Sequence, residues 1–208
     1  MTTLTIWGRA NSSNVMKVLC AADELGLAYV RHDVGGAFGG NRAPEYLAKN
    51  PNGLVPTIEL DGEIVWESNT IVRLLGDRYG RDTLWPSDPI LRARAERWMD
   101  WQLGTLGAPM TTLLFQLIRT PEAERKPDLI AAALETAGKH WTMLDQHLAT
   151  NAYVGGDRFT LADLSPGTLV ARWFRFQVTR PDLPHLAAWY ARLQQRASYA
   201  KWVDIVPT

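Results

Sequence analysis

The chain has 208 residues, 46% of them hydrophobic, and its 22 lysines and arginines balance 22 aspartates and glutamates. That length and apolar content suit one large or two small domains with a real core, and the lack of a basic excess argues against a main role in gripping nucleic acid. The single cysteine, Cys20, excludes an intrachain disulfide framework, a CxxC redox pair and a multi-cysteine zinc site, and the histidines are too widely spaced to suggest a metal site.

Met1-Thr2-Thr3 leads straight into Leu4-Thr5-Ile6-Trp7. No basic region and apolar core precede it, as a signal peptide would require, and no apolar run approaches the roughly 20 residues that cross a bilayer. The expectation is a soluble cytoplasmic protein with no membrane partner.

Leu4–Trp7 reads as a first strand. The polar segment Gly8–Asn14 then leads into a helix with Val15, Val18, Leu19, Ala22 and Leu25 on one face, ended by Gly26. Tyr29–Val34 reads as a second strand. Strand, helix and strand in quick succession make a right-handed parallel βαβ unit. Gly35-Gly36-Ala37-Phe38-Gly39-Gly40 lacks the Gly-Lys-Ser/Thr of a phosphate loop and reads as a mobile loop.

The most informative stretch is Asn50–Arg73. Asn50-Pro51-Asn52-Gly53 is dense turn chemistry. Thr57–Leu60 and Ile64–Trp66 read as strands joined at Asp61-Gly62, a strong signal for a two-residue hairpin. Ile71, Val72, Leu74 and Leu75 then recur at helical spacing behind Ser68, the expected N-cap. Pro56 pushes Val55 to an extended conformation, in which its N–H and C=O could receive a peptide-like ligand as another strand. The helix start at Ser68 suits a carboxylate. The same residues also suit a purely structural hairpin with a capped helix. Together these elements predict βαβ-ββα, the thioredoxin-like arrangement, over residues 1–80.

Residues 81–89 carry Pro86 and Pro89 and read as a linker. Residues 90–208 read as all-helical. A long helix is expected from about Ile90 to Leu117, kinked or split by Pro109. Others are expected at about Asp128–Leu148 and Pro184–Arg196, with a tail from Ser198. Thr160 and Asp163 stand as the first and last residues of a capping box, and Phe159 and Leu164 as its hydrophobic staple. Trp98, Trp101, Met110 and Phe115 are candidates for pocket or core, and their helical spacing favours core.

The stretch NPNGLVPTI…DG…WESNTIVRLL resembles the glutathione-binding half of the cytosolic glutathione transferases, and the likeness extends over nearly the whole chain. The resemblance implies that Val55, before a cis Pro56, pairs its backbone with the cysteinyl part of glutathione. It implies that Glu67 and Ser68 hold the γ-glutamyl end, and that Asn41 and Arg42 reach the glycyl carboxylate. Ser12-Ser13-Asn14-Val15-Met16-Lys17-Val18 resembles the Ser-x-Asn-Val-x-Arg/Lys pattern of serine-type, phi/theta-like bacterial members. In that register Ser12 polarises the thiol; Ser13, or a segment that only caps the helix, remains open. Asn11 and Asn14 could assist. Cys20 falls inside the helix, against the cysteine-type members. The implied activity is attack of the glutathione thiolate on a small hydrophobic electrophile bound between the domains. A glutathione-dependent disulfide reductase, peroxidase or isomerase is the alternative enzyme, and an interaction or ligand-carrying module the non-catalytic one. The resemblance also implies a homodimer, with glutathione as co-substrate and no metal.

Overall fold

The computed structural model describes residues 3–205. The first half is a four-stranded sheet in the order β2-β1-β3-β4, with β1 Leu4–Trp7, β2 Val30–His32, β3 Thr57–Leu60 and β4 Glu63–Trp66. β1 runs parallel to β2 and antiparallel to β3, and β3 runs antiparallel to β4 with Leu60 opposite Glu63. The hairpin turns on Asp61 and Gly62, both with positive φ (53° and 91°). That is the primed turn expected of an Asp-Gly pair, because it matches the twist of the flanking strands.

Helix α1 (Ser13–Glu24) connects β1 to β2, a short helix α2 (Pro44–Leu47) precedes β3, and α3 (Ser68–Tyr79) follows β4. α1 is buried over eight consecutive positions, Val15 through Ala22. A helix covered all round lies at the centre of its protein, and this one packs against α3 on one side and α7 and α9 on the other.

The second half is helical: α4 Pro89–Trp101, α5 Gly107–Leu114, α6 Pro127–Leu148, α7 Leu164–Arg175, α8 Pro184–Gln194 and α9 Ala197–Trp202. The long helix expected over 90–117 is broken earlier than Pro109, at a π turn spanning Gln102–Leu106. Proline lacks an N–H to donate one turn back, and the widened turn lies immediately N-terminal to it. The tail expected from Ser198 is instead helical through Trp202. The segment between α3 and α4 is anchored rather than loose. Trp85 is buried with its ring against Gly76, where a Cβ would lie 2.8 Å from it, and the N–H of Leu161 donates to Leu84 O at 3.0 Å.

Asp163 is fully buried and satisfies the turn that opens α7. Its Oδ2 accepts the Thr160 N–H at 2.9 Å, and its Oδ1 accepts Val154 N–H at 2.9 Å and Trp189 Nε1–H at 3.0 Å. Phe159 lies against Tyr153 and under the Arg196 guanidinium, 3.7 Å from its ring centre.

Candidate functional site

The helix starts at α1 and α3 meet beside the end of β1. Ser68 Oγ donates to Asn14 Oδ1 at 3.3 Å across 54 positions of sequence. The N-cap of α3 is Glu67 rather than Ser68. Glu67 is exposed and holds a left-handed φ of 71°, so the helix opens one residue earlier than expected and Ser68 becomes its buried first residue. A non-glycine residue pays about 1–2 kcal/mol for that conformation, and such strain gathers at functional sites.

Val55 joins Pro56 through a cis peptide bond. Neither its N–H nor its C=O is hydrogen-bonded to another described residue. The turn before it is held from both sides. Tyr46 Oη donates to Leu54 O at 2.6 Å and Asn50 Nδ2 to the same oxygen at 2.9 Å. From the opposite direction Asn41 Nδ2 donates to Gly53 O at 2.8 Å and Arg42 Nη1 to Asn52 O at 3.3 Å. Asn41 and Arg42 are thus gathered with Val55, Asn41 by clamping its loop and Arg42 with its side chain largely in solvent. Gly36–Phe38 forms a short 3₁₀ turn, and Gly36 leaves room for Arg9, whose Cδ would stand 2.7 Å from a Cβ there.

At the start of α1 the two serines separate. Ser12 is the N-cap, half-buried, and its hydroxyl has no hydrogen-bond partner among the described residues. Ser13 Oγ accepts from Arg172 Nη1 at 3.4 Å, and Arg172 also donates to Asn11 O at 3.3 Å. Arg9 donates to Asn11 Oδ1 at 2.9 Å. Burial lowers Arg172 to about 10, and the guanidinium groups of Arg119 and Arg9 push the same way. Arg9 and Arg172 therefore both donate to the Asn11–Ser13 segment, and the field of Arg119 reaches both of them. Sequence reading left Arg9 unassigned and missed Arg172, which lies 160 positions from Ser12 and carries no local signal.

A cleft of about 470 Å³ opens beside this segment, between the first turn of α1, the π turn and α5, and α7. Leu103, Met110 and Leu169 supply its apolar wall, and Gln102, Thr111 and Arg172 its polar groups. Of the four candidates for pocket or core, Met110 lines this cleft. Trp98 is buried and packs edge-on against the half-buried Trp101, their ring centres 5.2 Å apart, and Phe115 is exposed. Cys20 is fully buried in α1, and burial with Glu24 and Asp23 nearby pushes its thiol up, away from a thiolate.

Lys17, the basic residue of the Ser-x-Asn-Val-x-Arg/Lys pattern, was given no role by the sequence. It is 1% exposed, one turn along α1 from Ser13 and Asn14. Its Nζ donates to Gln102 Oε1 at 2.6 Å, Asn69 Oδ1 at 3.2 Å and Ser68 Oγ at 3.5 Å. Asn69 in turn donates to Met99 O at 2.8 Å and accepts from Ser165 Oγ at 2.7 Å. This network joins α1, α3, the π turn and α7 directly behind Ser68.

A βαβ-ββα sheet unit beside a helical unit, with a cleft between the start of α1 and the helical half, defines a two-domain protein of thioredoxin-like fold. Residues 8–83 match the family model of the glutathione S-transferase N-terminal domain, and residues 106–197 that of the C-terminal domain. The chain belongs to the glutathione S-transferase family. It is 40% identical to glutathione S-transferase GstB of Escherichia coli over 97% of this chain and 98% of that protein. It is 30% identical to glutathione S-transferase 3 of Zea mays over 100% and 96% of the two chains. Among solved structures it superposes with a TM-score of 0.96 and 47% identity, covering both chains completely, on the theta class glutathione S-transferase of Xanthomonas axonopodis pv. citri with glutathione bound.

Proposed function

We propose that this chain is a glutathione transferase in which Ser12 stabilises the thiolate of bound glutathione for attack on a small hydrophobic electrophile. The observation that carries the assignment is the difference between neighbouring hydroxyls: Ser12 caps nothing, whereas Ser13 is taken by Arg172. A free thiol titrates near about 8.5 and is only a few per cent ionised at neutral pH. Lowering it by two units requires about 2.7 kcal/mol in favour of the thiolate. The Ser12 hydroxyl donates one hydrogen bond, the free N–H groups at the start of α1 add the positive end of its dipole, and Arg9, Arg119 and Arg172 add positive potential.

Val55 receives the cysteinyl backbone of glutathione on its unbonded N–H and C=O, beyond the cis bond to Pro56. Glu67 takes the γ-glutamyl ammonium and Ser68, with the first N–H groups of α3, its carboxylate. Arg42, with Asn41 holding the loop beneath it, faces the glycyl carboxylate. Residues 1–80 form the glutathione-binding unit, 81–89 the linker, and 90–208 the helical unit whose Leu103, Met110 and Leu169 give the electrophile an apolar wall. The buried Cys20 thiol supports the serine over a cysteine mechanism.

The test is calorimetric titration of glutathione into the wild type and Ser12→Ala, with thiolate absorbance followed against pH. Both proteins should bind, and only the wild type should lower the thiol pKa. Equal lowering in both would move the role away from Ser12, and turnover of disulfides or peroxides without chlorodinitrobenzene would favour the reductase reading. A cytoplasmic homodimer is the expected assembly. Exposed Leu54, Ile90 and Leu91 offer it apolar surface, and light scattering at the single-chain mass would refute it.

A further inference from the structure

We infer that Lys17 is the buried positioning cation of the γ-glutamyl carboxylate site, acting through Ser68, and that it takes up a proton when that carboxylate binds. The inference rests on the assignment of Ser68 to this carboxylate made above.

A lysine is almost never fully buried unless an opposite charge accompanies it. Lys17 is 1% exposed, yet its three hydrogen-bond acceptors, from Ser68, Asn69 and Gln102, are all neutral. Its surroundings disfavour a cation in a second way. Ser68 and Asn69 form the first turn of α3, so the ammonium lies at the positive end of that helix dipole. The charged groups whose fields reach it are Glu67, which favours the ammonium, and Arg73, which opposes it. Glu96 and Asp100 of α4 face Arg73, within α3, instead. α7 presents the neutral Ser165 to Asn69, the π turn presents Gln102, and the Lys201 of α9 pairs with Asp23. Burial dominates and lowers Lys17 to about 7.

A cation so placed acquires its counter-charge when an anion arrives at Ser68. A carboxylate that takes the Ser68 hydroxyl proton over from Asn14 Oδ1, at about 2.7 Å, stands within about 6 Å of Nζ, since Nζ lies 3.5 Å from the same oxygen. At that range in a partly buried site the attraction suffices to hold Lys17 protonated at pH 8. Lys17 in turn polarises the hydroxyl it donates to, which strengthens the bond from Ser68 to the carboxylate. Because Gln102 comes from the helical unit, closure of the two halves and charge at the glutathione site are joined at one ammonium.

The experiment is calorimetric titration of S-methylglutathione, whose thioether cannot ionise, in paired buffers of different ionisation enthalpy. Wild-type protein should take up between about half and one proton per ligand at pH 8 and almost none at pH 6, where Lys17 is already charged. Lys17→Met should lose that uptake and bind at least tenfold more weakly at pH 6, with an unchanged far-ultraviolet circular dichroism spectrum. The ligand amino group contributes equally to both proteins, so the difference reports Lys17. Lys17→Arg, a cation that does not titrate, should recover affinity without recovering uptake. Wild-type binding with the same proton count as Lys17→Met overturns the inference alone. Failure of the wild type to bind S-methylglutathione overturns the site assignment beneath it.

Discussion

Replacing Asp163 by Asn tests whether the second half is held by one buried carboxylate. Four donors converge on its two oxygens: Val154 N–H and Trp189 Nε1–H on Oδ1, and Thr160 N–H with Thr160 Oγ1–H, the latter at 3.3 Å, on Oδ2. An amide retains one acceptor oxygen and turns an NH₂ group toward the other donors. At least one buried N–H is then orphaned, at about 1–3 kcal/mol, and its meeting with a second donor adds to that. The expected loss is about 2–4 kcal/mol, a large share of a total stability of about 5–15 kcal/mol. Urea unfolding followed by tryptophan fluorescence and circular dichroism measures it. The comparison also has a signed pH dependence. Burial raises Asp163 from 3.8 to about 6, so between those values the native state binds the proton more readily than the unfolded chain. This group's contribution is greatest below the unfolded value and is lost as pH rises toward 6. Acidification from pH 7 to 5 therefore favours the wild type by about 1 kcal/mol, and the gap to Asp163→Asn widens. A gap below about 1 kcal/mol at pH 7, or one that narrows on acidification, would refute the reasoning.

Lys17 carries the opposite pH signature in stability. Its folded value of about 7 lies below the ordinary 10.5, so the cost of burying the ammonium is fully present below pH 7 and is relieved as pH rises toward 10.5. Relative to the wild type, Lys17→Met should be more stable at pH 6 than at pH 9 by about 2–3 kcal/mol in urea unfolding. Gly53 has a φ of +61°, and a Cβ there would stand 2.9 Å from Asn41 O and 2.8 Å from Arg42 Nη1. Gly53→Ala should strain the turn before Val55 by about 1–2 kcal/mol and raise the KM for glutathione severalfold, measured by steady-state kinetics. Cys20, buried and with its thiol pushed up, should react with Ellman's reagent only as the protein unfolds.

Features with local causes were legible in the sequence. Asp61-Gly62 turns the hairpin because both residues tolerate positive φ, and the parallel β1-α1-β2 unit follows from spacing and handedness. Thr160 and Asp163 cap their helix because the two residues stand three apart, a spacing the sequence shows directly. Errors arose where a local rule met tertiary strain or helix geometry. Ser68 is a competent N-cap by residue type, but Glu67 adopts the left-handed conformation and shifts the helix start by one. Pro109 marked the break in the long helix, yet the widening fell on Gln102–Leu106, the turn before it.

What could not be read is which residues meet across the domains. A helical period assigns Val15, Val18, Leu19 and Ala22 to a core face and leaves Lys17 on the opposite side, which a surface helix would turn to water. From Val15 to Ala22 α1 has no water side, because α3, α7 and α9 pack around it. The polar position is therefore internal, and it is satisfied only by residues 51, 52 and 85 positions away. The same is true of Ser13, engaged by Arg172 across 159 positions. These distant partners separate Ser12 from Ser13 and set one ammonium, that of Lys17, beside Ser68. The chemical identity of the site thus lies in pairings made by the helical half, while its backbone outline is drawn by the first eighty residues.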